Sequence, residues 1–250
     1  MKKYILFFIL STLYLFAKYN STIQPISSDI HKKMVNGNSW HNNCPTKLKN
    51  LRYLTIVHYD FKGKEKLGEI IVHRSIASEV SEIFEELYNI GYPIRKMKLI
   101  SNYNGNDYLS IENDNTSAFN CRKVTGGTKW SKHSYGLAID INPIENPYVK
   151  RGKHSSHSKS RKFESRVHKD LSDTSDISLL KRNDRATQIF IKRGWVWGGN
   201  WKYIKDYQHF QRKPKKKSLL NHNLLSNRLL APLPSFARSL ISKVLCTSPT

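Results

Sequence analysis

The chain has 250 residues, enough for one sizeable core, and its apolar fraction of 38% excludes a wholly disordered polypeptide. Its formal net charge of +23 attracts polyanions such as nucleic acid, acidic lipid headgroups or anionic cell-wall polymers. Composition therefore predicts one folded domain with tails and a cationic surface, and it leaves the chemistry open.

The first residues favour export. Two lysines precede an apolar run that ends at Ala17 and is shorter than the ~20 residues of a membrane-spanning helix. Residues 1–17 are therefore predicted to be a signal peptide that directs the protein to the periplasm or cell envelope. A short uncleaved anchor is the alternative, because the run ends with a single small residue. Residues 18–33 are expected to form a polar linker, and export argues against nucleic acid as a partner.

A β-hairpin followed by a helix is predicted next. Two segments rich in β-forming residues, 51–61 and 67–73, are joined by the Lys/Gly-rich connection "KGKEK". Ser75 is a candidate cap for the helix and Gly91 a candidate stop. Apolar residues recur at helical spacing between them: Ile76, Val80, Ile83, Phe84 and Leu87.

A second hairpin is predicted for residues 96–103 and 108–113, because both segments contain β-formers and flank the turn sequence "NGND". The polar stretch up to Trp130 is predicted to be a loop.

The three cysteines are compatible with an oxidising compartment. Cys44 and Cys121 either pair across the domain, with Cys246 left over in the tail, or remain free buried thiols.

The stretch "GLAIDIN" predicts a strand with a carboxylate on its polar face. Period-two alternation separates Asp140 from the apolar anchors, so a rigid buried strand holds this carboxylate toward a polar feature. His133 comes seven residues earlier and can approach Asp140 only if the chain bends, which Gly136 permits. Alone, this pair also fits a structural aspartate with an unrelated surface histidine.

Residues 149–170 form a basic insertion that contains His154, His157 and His168. It has hardly any apolar residue, so a mobile loop is predicted. The loop either binds zinc adventitiously or, as a solvated segment, favours contact with anionic wall or membrane surfaces.

A second helix is predicted over residues 183–193, ended by Gly194, and the aromatic strand "WVWGGNW" follows it. Its apolar face consists of Ala186, Ile189 and Phe190. Residues 212–250 are a basic, Leu-rich tail of unknown role, either a surface-bound amphipathic segment or a disordered extension.

A second group of chemically useful residues occurs in "DYQHF". The spacing of Asp206 and His209 suits one face of a helical turn, which Phe210 can anchor to the core. A capping aspartate beside a surface histidine is the bland alternative. Together the two groups provide His, Asp and His plus a spare carboxylate, a catalytic-zinc inventory whose fourth position is open for water.

These motifs together resemble one family. Ser131-x-His133-x-x-Gly136-x-Ala138-x-Asp140, "INPIENPYV", "GWVWGGNW" and "DYQHF" are similar to the zinc D-alanyl-D-alanine carboxypeptidase family of VanY-like murein peptidases, which also contains endolysin L-alanyl-D-glutamate peptidases. The resemblance covers residues 34–211, the expected peptidase domain. It implies a compact α+β fold with a central antiparallel sheet, flanking helices and an active-site zinc.

The resemblance also implies roles for individual residues. The zinc ligands are His133, Asp140 and His209, and Asp206 is the catalytic base. Arg122, in "NTSAFNCRK", matches the arginine that stabilises the oxyanion in that family, although a surface arginine is the alternative. Two further residues are expected either to bind substrate or to be structural: Ser131 and Trp197.

An exported zinc metallopeptidase that hydrolyses peptidoglycan stem peptides is the function expected from these features. The sequence leaves the bond open between D,D-carboxypeptidase, D,D-endopeptidase and L,D-endopeptidase activity, and it predicts no oligomeric state. A catalytically silent wall-binding module with the same fold is the alternative. A nucleic-acid binder has only the charge in its favour and is not expected.

Overall fold

The computed structural model describes residues 19–167, 169–170 and 172–212. The predicted export segment 1–17, His168 and the tail from residue 213 onward lie outside the described residues. Within the described ranges, no helix has the length and apolar character needed to cross a membrane.

The named strands pair antiparallel and form three sheets, with the strand orders β1–β2–β3, β4–β8–β6 and β5–β7. The long β2–β3 hairpin confirms the first predicted hairpin. In the described part of the chain the strands are β1 (Ser21–Pro25), β2 (Leu51–Tyr59), β3 (Glu65–His73), β4 (Ala138–Asp140), β5 (Tyr148–Lys150), β6 (Val196–Trp197), β7 (Ile204–Asp206) and β8 (His209–Gln211).

Helices lie against these sheets, so the predicted α+β class is confirmed, with the antiparallel strands divided among three small sheets. The α-helices are α1 (Ser28–Asn36), α2 (Ala77–Asn89), α3 (Asp107–Glu112), α4 (Thr174–Ile177) and α5 (Arg185–Lys192). Short 3-10 helices occupy Leu48–Asn50, Ile100–Tyr103, Lys132–Tyr135, Ser158–Phe163 and Gly198–Asn200.

The main core lies between the β1–β2–β3 sheet, the two predicted helices α2 and α5, and the β4–β8–β6 sheet. Helix α2 buries Ile83 and Phe84 against it, and Phe190 of α5 stacks on Phe210 of β8 with ring centroids 4.0 Å apart. Both helices confirm their predictions, but Ser75 does not cap α2: its hydroxyl is hydrogen bonded to Nδ1 of His73, and the N-cap position belongs to Ile76.

Two segments differ from their sequence-based predictions. The expected linker 18–33 contributes β1, which pairs with β2, and the first part of α1. The expected second hairpin is wrong: its segments form the 3-10 helix Ile100–Tyr103 and helix α3. The reason is local, because Asn104 adopts the left-handed conformation that ends the first helix and the Asn106 side chain accepts a hydrogen bond from the Leu109 amide to begin the second.

The basic insertion is packed, contrary to the prediction of a mobile loop. Phe163 is buried in a small apolar cluster with Ile144 and Leu179. Nearby, the Arg166 guanidinium donates to the carbonyl oxygen of Leu180 at 2.7 Å. One aromatic anchor and side-chain hydrogen bonds to the backbone thus replace the apolar residues that the segment lacks.

Cys44 and Cys121 form a disulfide, with their Cα atoms 5.7 Å apart. This resolves the alternative of two free thiols. The bond ties the N-terminal part of the fold to the segment that carries Arg122.

Candidate metal centre

Two neighbouring strands and a short helix bring the predicted ligands together. Asp140 and His209 face each other in the register of the antiparallel pair β4–β8. His133 lies in the 3-10 helix Lys132–Tyr135, which Gly136 ends with a φ of +65°. The predicted bend at Gly136 is confirmed, and it turns His133 back toward Asp140.

Asp206 and His209 reach the site in a way that the spacing did not predict. They lie at the end of β7 and the start of β8, joined by a turn at residues 207–208, so the predicted helical turn is wrong. The position of His209 follows from pairing of β8 with β4 and from its buried neighbour Phe210.

The donor atoms of three side chains converge at the centre of the site. Nε2 of His133 lies 3.2 Å from Nδ1 of His209 and 3.1 Å from Oδ2 of Asp140. Nδ1 of His209 lies 2.9 Å from Oδ1 of Asp140. All three side chains are buried, so solvent does not separate these atoms.

Outer hydrogen bonds decide which ring nitrogens carry protons. The Ala118 carbonyl accepts from Nδ1 of His133 at 2.6 Å, and Oε1 of Gln211 accepts from Nε2 of His209 at 3.3 Å. Each imidazole then presents a lone pair at its inner nitrogen, and the two lone pairs face each other. A cation between them and the Asp140 carboxylate removes this repulsion, so the donor set fits a divalent metal such as zinc.

The electrostatics of the three side chains agree with this arrangement. Burial alone would raise the pKa of Asp140, but the interactions with His133 and His209 outweigh it and lower that pKa. Burial opposes the charged form of His209, yet its hydrogen bond to Asp140 and the nearby carboxylates raise its pKa to about 9. The same negative charge that favours a proton on His209 favours a cation between the three side chains.

Asp206 is the carboxylate beside this centre. Its Oδ1 is buried and has no hydrogen-bond partner among the described residues. Enclosure of the carboxyl group and repulsion from Asp140 raise its pKa to about 6, against the opposing effect of His209. A carboxylate with this pKa can both accept and release a proton near neutral pH.

A cavity of about 460 Å³ opens onto the centre. Arg122 lines it, held by an ion pair of 2.8 Å with Asp107, and its Nε is buried without a hydrogen-bond partner. Ser131 also lines the cavity, but its hydroxyl accepts a hydrogen bond from the His133 amide and caps the helix that carries this ligand.

Trp197, the other predicted substrate-binding residue, is not brought to the site. Its ring is buried in the main core, and its indole N–H donates to the Tyr207 carbonyl at 2.7 Å. Trp201 lines the cavity instead, with its ring centroid 5.4 Å from that of His209.

Sequence reasoning missed several cavity residues. Trp201 is the last of the three tryptophans in the quoted motif "GWVWGGNW", of which only Trp197 was predicted to bind substrate. His157 was noted only as one histidine of the insertion. Asp107 and Tyr108 gave no signal, because their segment was predicted to belong to a hairpin.

A second group with metal-ligand geometry contains His41, Cys44 and Cys121. Both of its sulfurs are used in the disulfide, so it is not a metal site. The insertion histidines in the described residues belong to neither group.

An α+β domain in which two histidines and an aspartate meet beside a further carboxylate has the residue set of a mononuclear metallohydrolase. Residues 125–212 match the family model described as D-alanyl-D-alanine carboxypeptidase. This match confirms the resemblance inferred from the motifs and includes all three candidate ligands and Asp206, while Arg122 precedes it. At the family level the chain is thus similar to a carboxypeptidase-like peptidase. Neither the comparison with curated proteins nor that with solved structures gives a match.

Proposed function

We propose that this protein is an exported zinc metallopeptidase that hydrolyses peptide bonds in peptidoglycan stem peptides, as a D-alanyl-D-alanine carboxypeptidase or a murein endopeptidase. One observation carries the proposal: two imidazole lone pairs and the Asp140 carboxylate converge beside the unpartnered oxygen of Asp206, inside the segment that matches the peptidase family.

In this proposal His133, Asp140 and His209 hold the zinc ion. When bound, zinc supplies Lewis-acid chemistry that favours deprotonation of water and polarises a carbonyl group. Asp206 accepts the proton of the attacking water as the new C–O bond forms. It then delivers that proton to the amine nitrogen as the C–N bond breaks, a double role that suits its pKa of about 6.

Arg122 stabilises the negative charge that develops on the carbonyl oxygen. Asp107 fixes the guanidinium at the cavity wall through its 2.8 Å ion pair, and the buried Nε keeps a donor free. A permanent positive charge with donors in fixed directions stabilises an oxyanion better than a mobile ammonium group does.

Export is supported by two features. Residues 1–17 have the pattern of a signal segment, and the Cys44–Cys121 disulfide suits an oxidising compartment.

The decisive experiment uses zinc-loaded protein and purified muropeptides, with products identified by mass spectrometry. Asp206→Asn should lower kcat by about 10²–10⁴-fold while the zinc content stays unchanged. Asp60→Asn, which alters a carboxylate in the exposed β2–β3 turn, is the matched control and should retain full activity. If the wild-type protein with bound zinc releases no D-alanine and cuts no muropeptide, the proposal is wrong.

A second candidate function, a wall-binding module without catalysis, is favoured by a cationic groove. Five basic side chains line this groove, and none of them forms an ion pair with another described residue: Lys150, Arg151, Lys153, Lys202 and Lys205. Its carboxylate, Glu164, already accepts hydrogen bonds from His154 and from the Ser155 amide. We propose anionic wall polymer or an anionic membrane surface as the partner.

The same variant separates the two candidates. In a peptidase that also binds the wall, Asp206→Asn abolishes hydrolysis and leaves wall binding intact. In a silent module the wild-type protein and the variant are indistinguishable in both measurements.

A further inference from the structure

His157 comes from the basic insertion and lines the same cavity as the candidate metal centre. Its ring stacks on Tyr108 of α3, with centroids 4.2 Å apart and an angle of 28° between the planes. His157 is buried, whereas Tyr108 is 51% exposed at the cavity. The two rings therefore form one continuous patch of cavity wall, built by two segments that are distant in sequence.

Several contacts fix the orientation of the His157 ring. Nδ1 of His157 lies 2.8 Å from Oε2 of Glu112, whose other oxygen accepts from Lys159 at 3.0 Å. The hydrogen bond from His157 and the contact with Lys159 lower the pKa of Glu112, so this carboxylate is charged and acts as an acceptor. Nδ1 of His157 then carries the ring proton.

With Nδ1 directed at Glu112, Nε2 is the ring nitrogen left to face a ligand. None of the hydrogen bonds among the described residues involves this atom. His157 is thus a buried and oriented ring in the cavity wall whose second nitrogen is unused.

We propose that His157 and Tyr108 form a substrate-binding wall for the peptide part of the substrate, a role that rests on the proposed peptidase function. Nε2 of His157 accepts a hydrogen bond from a backbone N–H of the bound peptide, and the exposed Tyr108 ring packs along the adjacent peptide plane. The substrate class is an extended peptide whose backbone amide lies beyond the bond that is cut. The insertion thereby contributes to specificity and not to the chemical step.

His154 is a natural control for His157. Both belong to the insertion, and both place Nδ1 at 2.8 Å from a glutamate. The His154 side chain is 76% exposed, however, and it does not line the cavity of the metal centre. His154→Phe therefore makes the same chemical change as His157→Phe without altering the proposed substrate-binding wall.

The test compares His157→Phe, Tyr108→Leu and His154→Phe in the full chain, with a synthetic stem peptide as the probe. Loss of one neutral hydrogen bond in His157→Phe should raise KM about fivefold, with kcat unchanged within twofold. Tyr108→Leu should raise KM similarly, and His154→Phe should match the wild type. Zinc content and thermal midpoint are recorded for each variant.

A series of peptides, each with a single N-methylated amide, identifies the hydrogen bond itself. One analogue should bind the wild-type protein about fivefold more weakly and bind His157→Phe no more weakly than the parent peptide does. If His157 had only a structural role, its replacement would not remove the loss of affinity that one particular N-methyl group causes. If His157→Phe does not fold, an unchanged KM in Tyr108→Leu overturns the inference, since the exposed ring can be replaced without disturbing the core.

The outcomes separate this inference from the proposed function. If the wild-type protein cleaves the peptide and the variants have the same KM, the inference of a substrate-binding wall is disproved, while the proposed peptidase function is retained. If the protein binds the peptide without cleaving it, the proposed peptidase function is disproved, and the same fold-changes measured in Kd test the substrate-binding wall. If it neither cleaves nor binds the peptide, both are overturned.

Discussion

Gly136 shows how much of the metal centre depends on one residue. Its φ of +65° lies in the left-handed region, and a Cβ at this position would lie 2.6 Å from the His73 backbone nitrogen. That nitrogen also donates a hydrogen bond to the Gly136 carbonyl at 2.8 Å. The end of β3 thus packs directly against the bend that turns His133 toward Asp140, and no side chain fits between them.

Gly136→Ala is therefore expected to affect both stability and metal binding. Backbone strain and the displaced contact should lower the free energy of unfolding by about 2–4 kcal/mol, and movement of His133 should weaken zinc binding. Urea unfolding and the zinc content after dialysis measure the two effects.

Gly63→Ala is the matched control for this prediction. Gly63 has a φ of +68°, but the position of its missing Cβ is open space in the β2–β3 turn. It should lose only about 1 kcal/mol, from backbone strain alone, and keep its zinc. Equal zinc loss in both variants would show that the bend at Gly136 does not position His133.

At the level of secondary-structure elements, hydrophobic periodicity correctly predicted those helices and strands whose formation depends on the local sequence. The first hairpin, α2, α5 and the polar face of β4 all follow from the spacing of apolar residues and were correct. The i, i+3 spacing of Asp206 and His209 fits a helical turn as well as two strand ends, and the choice between them depends on pairing of β8 with β4. Such long-range register is absent from the local pattern. The ligand set was nevertheless predictable, because residue identity in the combined motifs does not require the register.

The insertion was mispredicted for a different reason. Counting apolar residues undervalues a single aromatic side chain that enters a pre-existing pocket, as Phe163 does beside Ile144 and Leu179. Such a count also ignores charged side chains that form hydrogen bonds with the backbone, as Arg166 does. Sequence composition measures how much surface a segment can bury, whereas a few specific contacts decide whether it packs.

Phe163→Ala is expected to release the insertion from the fold. Deleting a buried aromatic ring lowers stability by about 3–5 kcal/mol. Here the lost contacts are those that hold the insertion to the domain, and the insertion has few other apolar contacts. Trypsin should cut the Lys/Arg-rich insertion of the variant much faster than that of the wild type, while the rest of the domain survives. Val167→Ala, at a position that is 57% exposed, should leave the digestion rate unchanged. Rapid cleavage of the wild-type insertion at native conditions would contradict its packing.

At the level of the whole molecule, a buried acidic cluster links stability to pH. Glu145 is almost inaccessible, close to Asp114 and bonded to Arg95 at 2.7 Å. Burial and repulsion from Asp114 raise the pKa of Glu145 to about 8, although Arg95 opposes the shift. Because the folded protein holds this proton more tightly than the unfolded chain does, the stabilisation is complete below about pH 4.5 and is lost as the pH rises through about 8.

Glu145→Gln removes this titration and keeps the shape of the side chain. The free energy of unfolding of the variant, relative to the wild type, should increase from about pH 5 to about pH 8 and then level off, with the midpoint of urea unfolding as the measurement. Glu164→Gln, in the exposed groove, is the control and should show no such rise. A constant difference across this range would mean that Glu145 is ionised in the folded protein at neutral pH.

The cationic groove and the cavity of the candidate metal centre share the two-stranded sheet β5–β7. Along β7, Ile204 and Asp206 line the cavity, and Lys205 between them lines the groove. Because successive side chains of a strand point to opposite faces, Lys205 lies on the face of β7 opposite to that of Ile204 and Asp206. If the proposed anionic polymer binds along Lys205, it leaves the cavity face of β7 free.

Reversing three charges in the groove tests whether this placement matters more than net charge. The triple variant Lys150→Glu, Arg151→Glu and Lys153→Glu should weaken binding to an anionic wall polymer and make it less dependent on salt, while hydrolysis of a small soluble peptide continues. The matched control changes three lysines of the β2–β3 hairpin by the same total charge: Lys62→Glu, Lys64→Glu and Lys66→Glu. If the attraction comes from the overall charge of +23, both triple variants lose binding equally. If it comes from the five groove cations, which form no ion pair with a described residue, the hairpin variant binds like the wild type and only the groove variant releases the polymer at moderate salt.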